Sequence, residues 1–352
     1  MPPREDWPVP ELPYVSVLIS TMDRRELLRQ ALESLGRLDY PREKIELVVV
    51  EETSSPEDPG ADRYVVLPRE GRGFAWSRNA ALGAASHPLV AFTDDDVIVD
   101  PNWLRELVTP FQDPGVAAVA GAVLAQPSGI FGKTEIVLGF PGGGLRRIAR
   151  AGDAPAPTRS LSTVNAAARR EILNQLGGFS ESTGIYGGED SELFGRLTER
   201  YPAIFNPRAL VYHRARDSIR GIASWLYRRG ISAIALLHLA RSKRFQLVLR
   251  ELRISLSVRL AVVIALLVAV GAPVLISLSM LATIYYLATL VRYRFAWQRM
   301  GLSVLLLTPI TKLLMDAAFD VGRIRGLFLW ISGAFDNKNP MPLDPERRVS
   351  RS

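Results

Sequence analysis

The 352-residue sequence predicts an α/β domain built on a mostly parallel sheet, followed by interfacial amphipathic helices and C-terminal transmembrane helices. Three observations predict it. Short apolar, β-branched runs alternate with helix-period segments as far as His213, which is the pattern of a parallel sheet covered on both faces. One of these runs, Pro88 to Phe92, is closed by three consecutive carboxylates, Asp94-Asp95-Asp96. From Leu260 to Val291 the chain then passes 32 residues without a charge.

In order along the chain, Val15 to Ile19 reads as a buried strand, and Asp23 and Glu26 have capping-box-like spacing ahead of Leu27, Leu28, Ala31, Leu32 and Leu35. Ile45 to Val50 is a second strand, ended by Glu51-Glu52 and a polar, Pro/Gly-containing loop; Tyr64 to Leu67 is a third. A helix is expected around Trp76 to Ala85, then the strand that carries the acids, then a helix start at Pro101-Asn102-Trp103-Leu104. Val116 to Leu124 reads as a further strand. Pro141 to Pro157 reads as a solvated loop containing Arg146, Arg147 and Arg150, with a mobile cover over an anionic substrate as the alternative. Asn165, a short helix from Arg169, the Gly177-Gly178-Phe179 turn and a helix opened by Gly187-Gly188-Glu189-Asp190 follow. Ala203 to Phe205 and Leu210 to Tyr212 read as two short strands, the second ending at His213.

Beyond the sheet, Ile219 to Leu239 mixes Trp225, Leu226, Ile231 and Leu236 with Arg220, Arg228 and Arg229, as an interfacial amphipathic helix would. A straight helix over the uncharged stretch would span about 48 Å, against a hydrocarbon core of about 30 Å. Gly271-Ala272-Pro273 therefore either kinks one long helix or turns a hairpin of two short ones. The hairpin is favoured because Arg292, Arg294 and Arg299 then return to the basic side of Arg253 and Arg259. A third apolar stretch, Leu302 to Phe319, holds Lys312 and Asp316 at i, i+4 spacing, where pairing eases their cost in lipid. The expected organisation is a catalytic domain over 1–218, amphipathic helices over 219–258, about three spans over 259–335 and a polar tail over 336–352.

Composition narrows the chemistry. With no cysteine, disulfides, thiolate nucleophiles and cysteine zinc sites are excluded. Met1 to Pro13 is rich in proline and acids and has no apolar h-region, so no secretory signal peptide is expected there. The net charge of +7 is uneven: eleven Lys/Arg fall between Arg214 and Arg259 against Asp217 and Glu251. Placed directly before the apolar stretch, that charge suits anionic lipid headgroups rather than nucleic acid, and it predicts a cytoplasmic catalytic side.

Three adjacent carboxylates repel one another and weaken a strand, which points to a bound cation; hard oxygen donors suit Mg²⁺ or Mn²⁺. The alternative is an acidic turn ahead of the next helix. Ser20-Thr21, Glu51-Glu52 and Asp94-Asp95-Asp96 all fall at strand carboxyl ends, the edge where open α/β sheets collect ligands.

The motifs Val15-Ser16-Val17-Leu18-Ile19-Ser20-Thr21-Met22-Asp23-Arg24, Arg78-Asn79, Asp94-Asp95-Asp96, Gly178-Phe179, Gly188-Glu189-Asp190 and Pro207 to His213, in this order and spacing, resemble family 2 glycosyltransferases of the GT-A fold. The resemblance is to the membrane-attached, cellulose-synthase-like kind and covers residues 14 to 230. It implies that Thr21, Asp23, Glu51, Arg78, Asp94 and Asp95 surround a nucleoside-diphosphate sugar, with Glu51, or its neighbour Glu52, near the base or ribose. It implies that Asp96 binds Mn²⁺ or Mg²⁺, that His213 is either a further ligand or a hydrogen-bonded structural histidine, and that Asp190 is the catalytic base. Arg228 or Arg229 takes the diphosphate role of the Gln-x-x-Arg-Trp motif; Trp225 or Leu226 stands where its glutamine belongs and no tryptophan follows, so extended polymer synthesis is not expected.

The implied activity is transfer of one sugar, with inversion, to a lipid-linked acceptor at the cytoplasmic membrane face. GDP-mannose is the first donor expected and a UDP-sugar the second. Two alternatives stand beside it: an inactive membrane scaffold of a glycan assembly complex, and a sugar-nucleotide nucleotidyltransferase. The latter is disfavoured because Ser20-Thr21-Met22-Asp23-Arg24 is not a glycine- and basic-rich phosphate loop.

Overall fold

The computed structural model describes residues 11–70, 72–126, 129–181, 187–239 and 244–335. The expected tail over 336–352 lies outside the described residues, as does most of the N-terminal proline-rich segment. The strands are β1 (Val15–Thr21), β2 (Ile45–Glu52), β3 (Arg63–Leu67), β4 (Leu89–Asp94), β5 (Val97–Val99), β6 (Ala118–Ala125), β7 (Ala156–Pro157), β8 (Asn165–Arg169) and β9 (Ala203–His213). They form one sheet in the order β3-β2-β1-β4-β8-β6-β9-β5, with β7 on β9.

The sheet is parallel through β3, β2, β1 and β4 and mixed beyond them, because β8 enters from the ligand edge and runs antiparallel to both β4 and β6. Thr93 at the end of β4 therefore faces Asn165 at the start of β8. The small residues Ala166-Ala167-Ala168, fully buried between two neighbours, make a strand where the sequence suggests the approach to a helix. Only at Arg170 does the helix begin.

The helices are α1 (Arg25–Leu35), α2 (Phe74–Ala84), α3 (Trp103–Val108), α4 (Ile130–Leu138), α5 (Gly144–Ala151), α6 (Arg170–Gln175), α7 (Glu189–Arg200), α8 (Ile219–Leu239), α9 (Arg244–Ile254), α10 (Leu256–Ala269), α11 (Val274–Arg292), α12 (Phe295–Met300) and α13 (Leu302–Ile331). Strand side chains alternate between faces. Leu18, Val48 and Phe92 accordingly pack on Leu82 of α2 and on Leu193, Phe194 and Leu197 of α7. Val17 and Ala91 pack on Trp103, Leu104 and Leu107 of α3 on the other face.

Two sequence readings need correction here. The segment Pro141 to Pro157 is not a solvated loop: it folds as α5 and β7, and Arg147 lies 4.0 Å over the Phe205 ring while donating to Thr158 and Ser160. The two strands expected after Ala203 are one, β9, with an irregularity opposite Gly121 and Ala122. Pro207 cannot donate to the ladder, and Asn165 crosses the gap by donating to the carbonyls of Ala122 and Ala209. A side chain at Gly121 would sit 2.3 Å from that Asn165 amide, so the position admits only glycine.

The uncharged stretch is broken at Gly271-Ala272-Pro273 into α10 and α11, a break that the hairpin and the kink both accommodate. α11 and α13 are long and apolar enough to cross a membrane, and the residues Gln246–Ile254 and Leu256–Ala269, bent by 70°, make a third span if they count as one. Lys312 and Asp316 pair at 2.6 Å. Much of the apolar face of α8 is taken by protein: Ile222 and Leu226 pack with Val304 and Met315 of α13, and Ile231 and Ile234 with Leu329 and Trp330. The two backbones approach closely at glycines, since a Cβ on Gly322 would lie 2.0 Å from the Tyr227 carbonyl oxygen.

Candidate active site

The carboxyl ends of β1, β2, β4 and β9 bring the expected residues to one edge. Of the three acids, Asp95 is directed into the fold. It is 3% exposed, accepts a hydrogen bond from the Thr21 hydroxyl at 2.6 Å and pairs with Arg24 at 2.7 Å. Thr21 and Asp95 thus bind each other and position the loop. Their neighbours Asp94 and Asp96 are left for the cleft.

Asp96 pairs with Arg24 at 2.7 Å through Oδ2 and with His213 Nε2 at 3.3 Å through Oδ1. Burial by itself would raise the Asp96 pKa; His213 and Arg24 outweigh it and hold the carboxyl below its usual range. Ligand atoms of Asp94, Asp96 and His213 all lie within 4.8 Å of one another. Two carboxylates and an imidazole at that separation fit a divalent cation, and hard oxygens in the majority fit Mn²⁺ and Mg²⁺. The antiparallel pairing of β5 with β9, Val97 opposite His213, is what carries the histidine to the acids.

The second group sits at the start of α7. Gly187 and Gly188 have φ of +113° and +97°, left-handed values that turn the chain sharply into the helix and present Glu189 and Asp190 together. Asp190 accepts from the Ser162 hydroxyl at 2.9 Å and from the Ser191 N–H at 2.7 Å. Burial would raise its pKa, but Arg229 and Arg78, with those two hydrogen bonds, hold it below the usual carboxylate range, so at neutral pH it is an ionised acceptor of protons. Arg78 joins the halves of the site: it contacts Asp94 at 3.4 Å and also pairs with Glu189.

At the outer end, Glu51 is 1% exposed; its Oε2 accepts from the Tyr64 hydroxyl, and among the described residues its buried Oε1 has no partner. Such an atom is ready for an N–H or O–H from a ligand. Asp23 does not cap α1, whose first residue is preceded by Arg24 with no side-chain cap; Asp23 has φ +50° and pairs with Arg69 at 2.5 Å. Of the two arginines on α8, Arg229 faces the cleft, with its guanidinium 5.6 Å from the Trp225 ring and its side chain against Gly187. Arg228 is turned about 100° away around the helix.

Ser162, Arg24 and Glu189 were not assigned site roles from sequence. Ser162 sits in a polar run with no motif of its own. Arg24 is the last residue of the motif that closes β1, and Glu189 directly precedes the expected base; adjacency was the available signal for both.

Residues 16–177 match the family model described as Glycosyl transferase family 2. The O-antigen biosynthesis protein RfbC of Myxococcus xanthus is 33% identical over 215 residues, which cover 55% of this chain and 16% of that one. The pre-mycofactocin glycosyltransferase of Mycobacterium tuberculosis is 31% identical over 229 residues, 61% of this chain and 45% of that one. The chain thus spans less than half the length of either relative. A mannosyltransferase, PcManGT, from Pyrobaculum calidifontis, solved in complex with GDP-Man and Mn²⁺, shares the fold with a TM-score of 0.61 and 23% identity, over 92% of this chain and 91% of that one.

Proposed function

We propose that this chain, whose residues 16–177 are a family 2 glycosyltransferase domain, transfers one sugar with inversion from a nucleoside-diphosphate sugar to a hydroxyl of a lipid-linked acceptor at a membrane face. One observation carries the reading: Arg78 bridges the Asp94/Asp96/His213 group to the Glu189-Asp190 pair, so a cation-binding set and an ionised base share one cleft.

In this reading the acceptor hydroxyl attacks the anomeric carbon while Asp190 takes its proton. The new glycosidic bond forms as the bond from the anomeric carbon to the phosphate oxygen breaks, and the diphosphate leaves with that electron pair. The Ser162 hydroxyl and Ser191 N–H hold the carboxylate in place, so its orientation needs no reorganisation during transfer. Asp94, Asp96 and His213 would hold Mn²⁺ or Mg²⁺, which would supply neutralisation of charge on the departing diphosphate. Arg229 lies beside Asp190 and Glu189 and suits the diphosphate, and Glu51 suits the nucleoside.

The membrane part of the proposal rests on α11 and α13. A cleft held at the bilayer meets a lipid-linked acceptor at high effective concentration. GDP-mannose is the donor placed first, with UDP-sugars second. A thermal-shift panel of GDP, UDP and CDP with and without Mn²⁺ tests the reading, because a ligand at 100 times its Kd stabilises by about 2.7 kcal/mol. One nucleotide raising the melting temperature only with Mn²⁺ is the expected result. No metal-dependent shift with any of the three would overturn the enzyme reading.

A further inference from the structure

A second basic group lies away from the cleft, where α5 meets the end of α11. Arg146 and Arg150 stand four residues apart on α5 and so share a face. The Arg146 guanidinium lies 5.9 Å from the Tyr293 ring, and the guanidinium of Arg292 lies 5.9 Å from the same ring. Tyr293 itself is buried, 2% exposed, in the apolar layer formed with Ile136, Leu145 and Leu226.

Like charges gathered on a fixed ring repel one another, and burial together with Arg292 and Arg150 lowers the Arg146 pKa. No acid among the described residues pairs with Arg146, Arg150 or Arg292. Arg150 and Arg292 are exposed. Guanidinium forks match phosphate oxygens in pairs.

The position identifies the carrier of that phosphate. Arg292 is the last residue of α11, one of the two helices long enough to cross a membrane, and α13, the other, begins at Leu302 after the short helix α12, where Arg294 and Arg299 add to the charge. Basic side chains and a tyrosine at the end of a span lie at the level of lipid headgroups. We infer that Arg146, Arg150 and Arg292 form a binding site for the phosphate of an anionic membrane lipid, at the seam between the catalytic domain and its spans. The site goes beyond the transfer reaction and depends only on α11 and α13 lying in a bilayer.

Native mass spectrometry of the full chain in a neutral detergent, titrated with phosphatidylglycerol or phosphatidylcholine, tests this. The double variant Arg146→Ala/Arg292→Ala is expected to bind phosphatidylglycerol about thirty-fold more weakly, with phosphatidylcholine unchanged. Inorganic phosphate in tenfold excess is expected to leave the lipid bound. Phosphatidylglycerol binding as tight as wild type, or displacement by inorganic phosphate, overturns the proposal. Should the double variant lose its helical circular dichroism, the exposed Arg150→Glu variant decides: a clear loss of phosphatidylglycerol is expected, and wild-type binding refutes the site. Nucleotide binding is a separate measurement on wild type, so failure of the transferase reading leaves this result standing.

Discussion

Replacing Asp190 by Asn tests the chemistry most directly. The variant keeps the shape of the side chain and a carbonyl oxygen for the Ser191 N–H, now 2.7 Å away, and the Ser162 hydroxyl at 2.9 Å can accept from the new amide instead of donating. What it removes is the negative charge and the site for the acceptor's proton. A positioned base contributes about 10²- to 10⁴-fold, equivalent to about 3–5 kcal/mol of barrier. The assay is transfer of radiolabelled sugar to a lipid-linked acceptor in detergent, with nucleotide binding followed by thermal shift. kcat is expected to fall by at least a hundredfold while the Mn²⁺-dependent nucleotide shift persists. In the wild type, ionisation of Asp190 below the usual aspartate value of about 3.9 leaves the rate without an acid limb down to mildly acidic pH. Activity within tenfold of wild type, or loss of nucleotide binding together with activity, would refute the assignment.

Further outcomes follow from the same geometry. Ser162→Ala removes one hydrogen bond to the base and is expected to lower kcat about tenfold with KM little changed; an unchanged kcat removes Ser162 from the site. Asp96→Asn and His213→Ala should each abolish the Mn²⁺-dependent part of the nucleotide thermal shift, read by differential scanning fluorimetry. In Gly322→Ala the new Cβ meets the Tyr227 carbonyl oxygen, and overpacking of this kind costs about 1–3 kcal/mol, a fall in Tm of several degrees. Glu46, buried among Ser16, Ser86 and Arg63, has its pKa lowered from 4.5 to about 2: burial opposes ionisation and those partners outweigh it. Its stabilising effect is complete above pH 4.5 and lost as pH falls towards 2, at most about 3 kcal/mol, so the Tm deficit of Glu46→Gln should shrink over that interval.

β1, β2 and β4 were legible in the sequence because branched and aromatic side chains fill a sheet buried on both faces, and such runs have few other uses. β8 was not. Alanine favours helices when nothing else acts on it, and only the neighbours β4 and β6, far away in sequence, make Ala166-Ala167-Ala168 a strand. Arg78 and Asp190 were picked out by the motif resemblance, whereas the acids and His213 were legible because strand ends position them. The burial of Asp95 was not, since the direction in which each carboxylate leaves a turn depends on Arg24 and Thr21 arriving from β1. The capping pattern at Asp23 failed for a similar reason: Arg69 supplies a stronger partner than the backbone N–H groups of α1.

α8 shows why the two halves of the molecule act together. Its amphipathic pattern was visible, but one helix carries two buried faces. One holds Ile222, Leu226 and Gly230 against α13, where a Cβ on Gly230 would sit 2.1 Å from the Phe319 carbonyl oxygen. The other holds Arg229, Ser232 and Leu236 against Gly187 and Gly188, the turn that presents the base. Backbones in such close contact cannot slide past each other without opening the packing. Arg229, the side chain beside Asp190, is therefore carried on the helix that packs against α13, a candidate membrane span, and in the proposed reading the same contacts couple the site to that span.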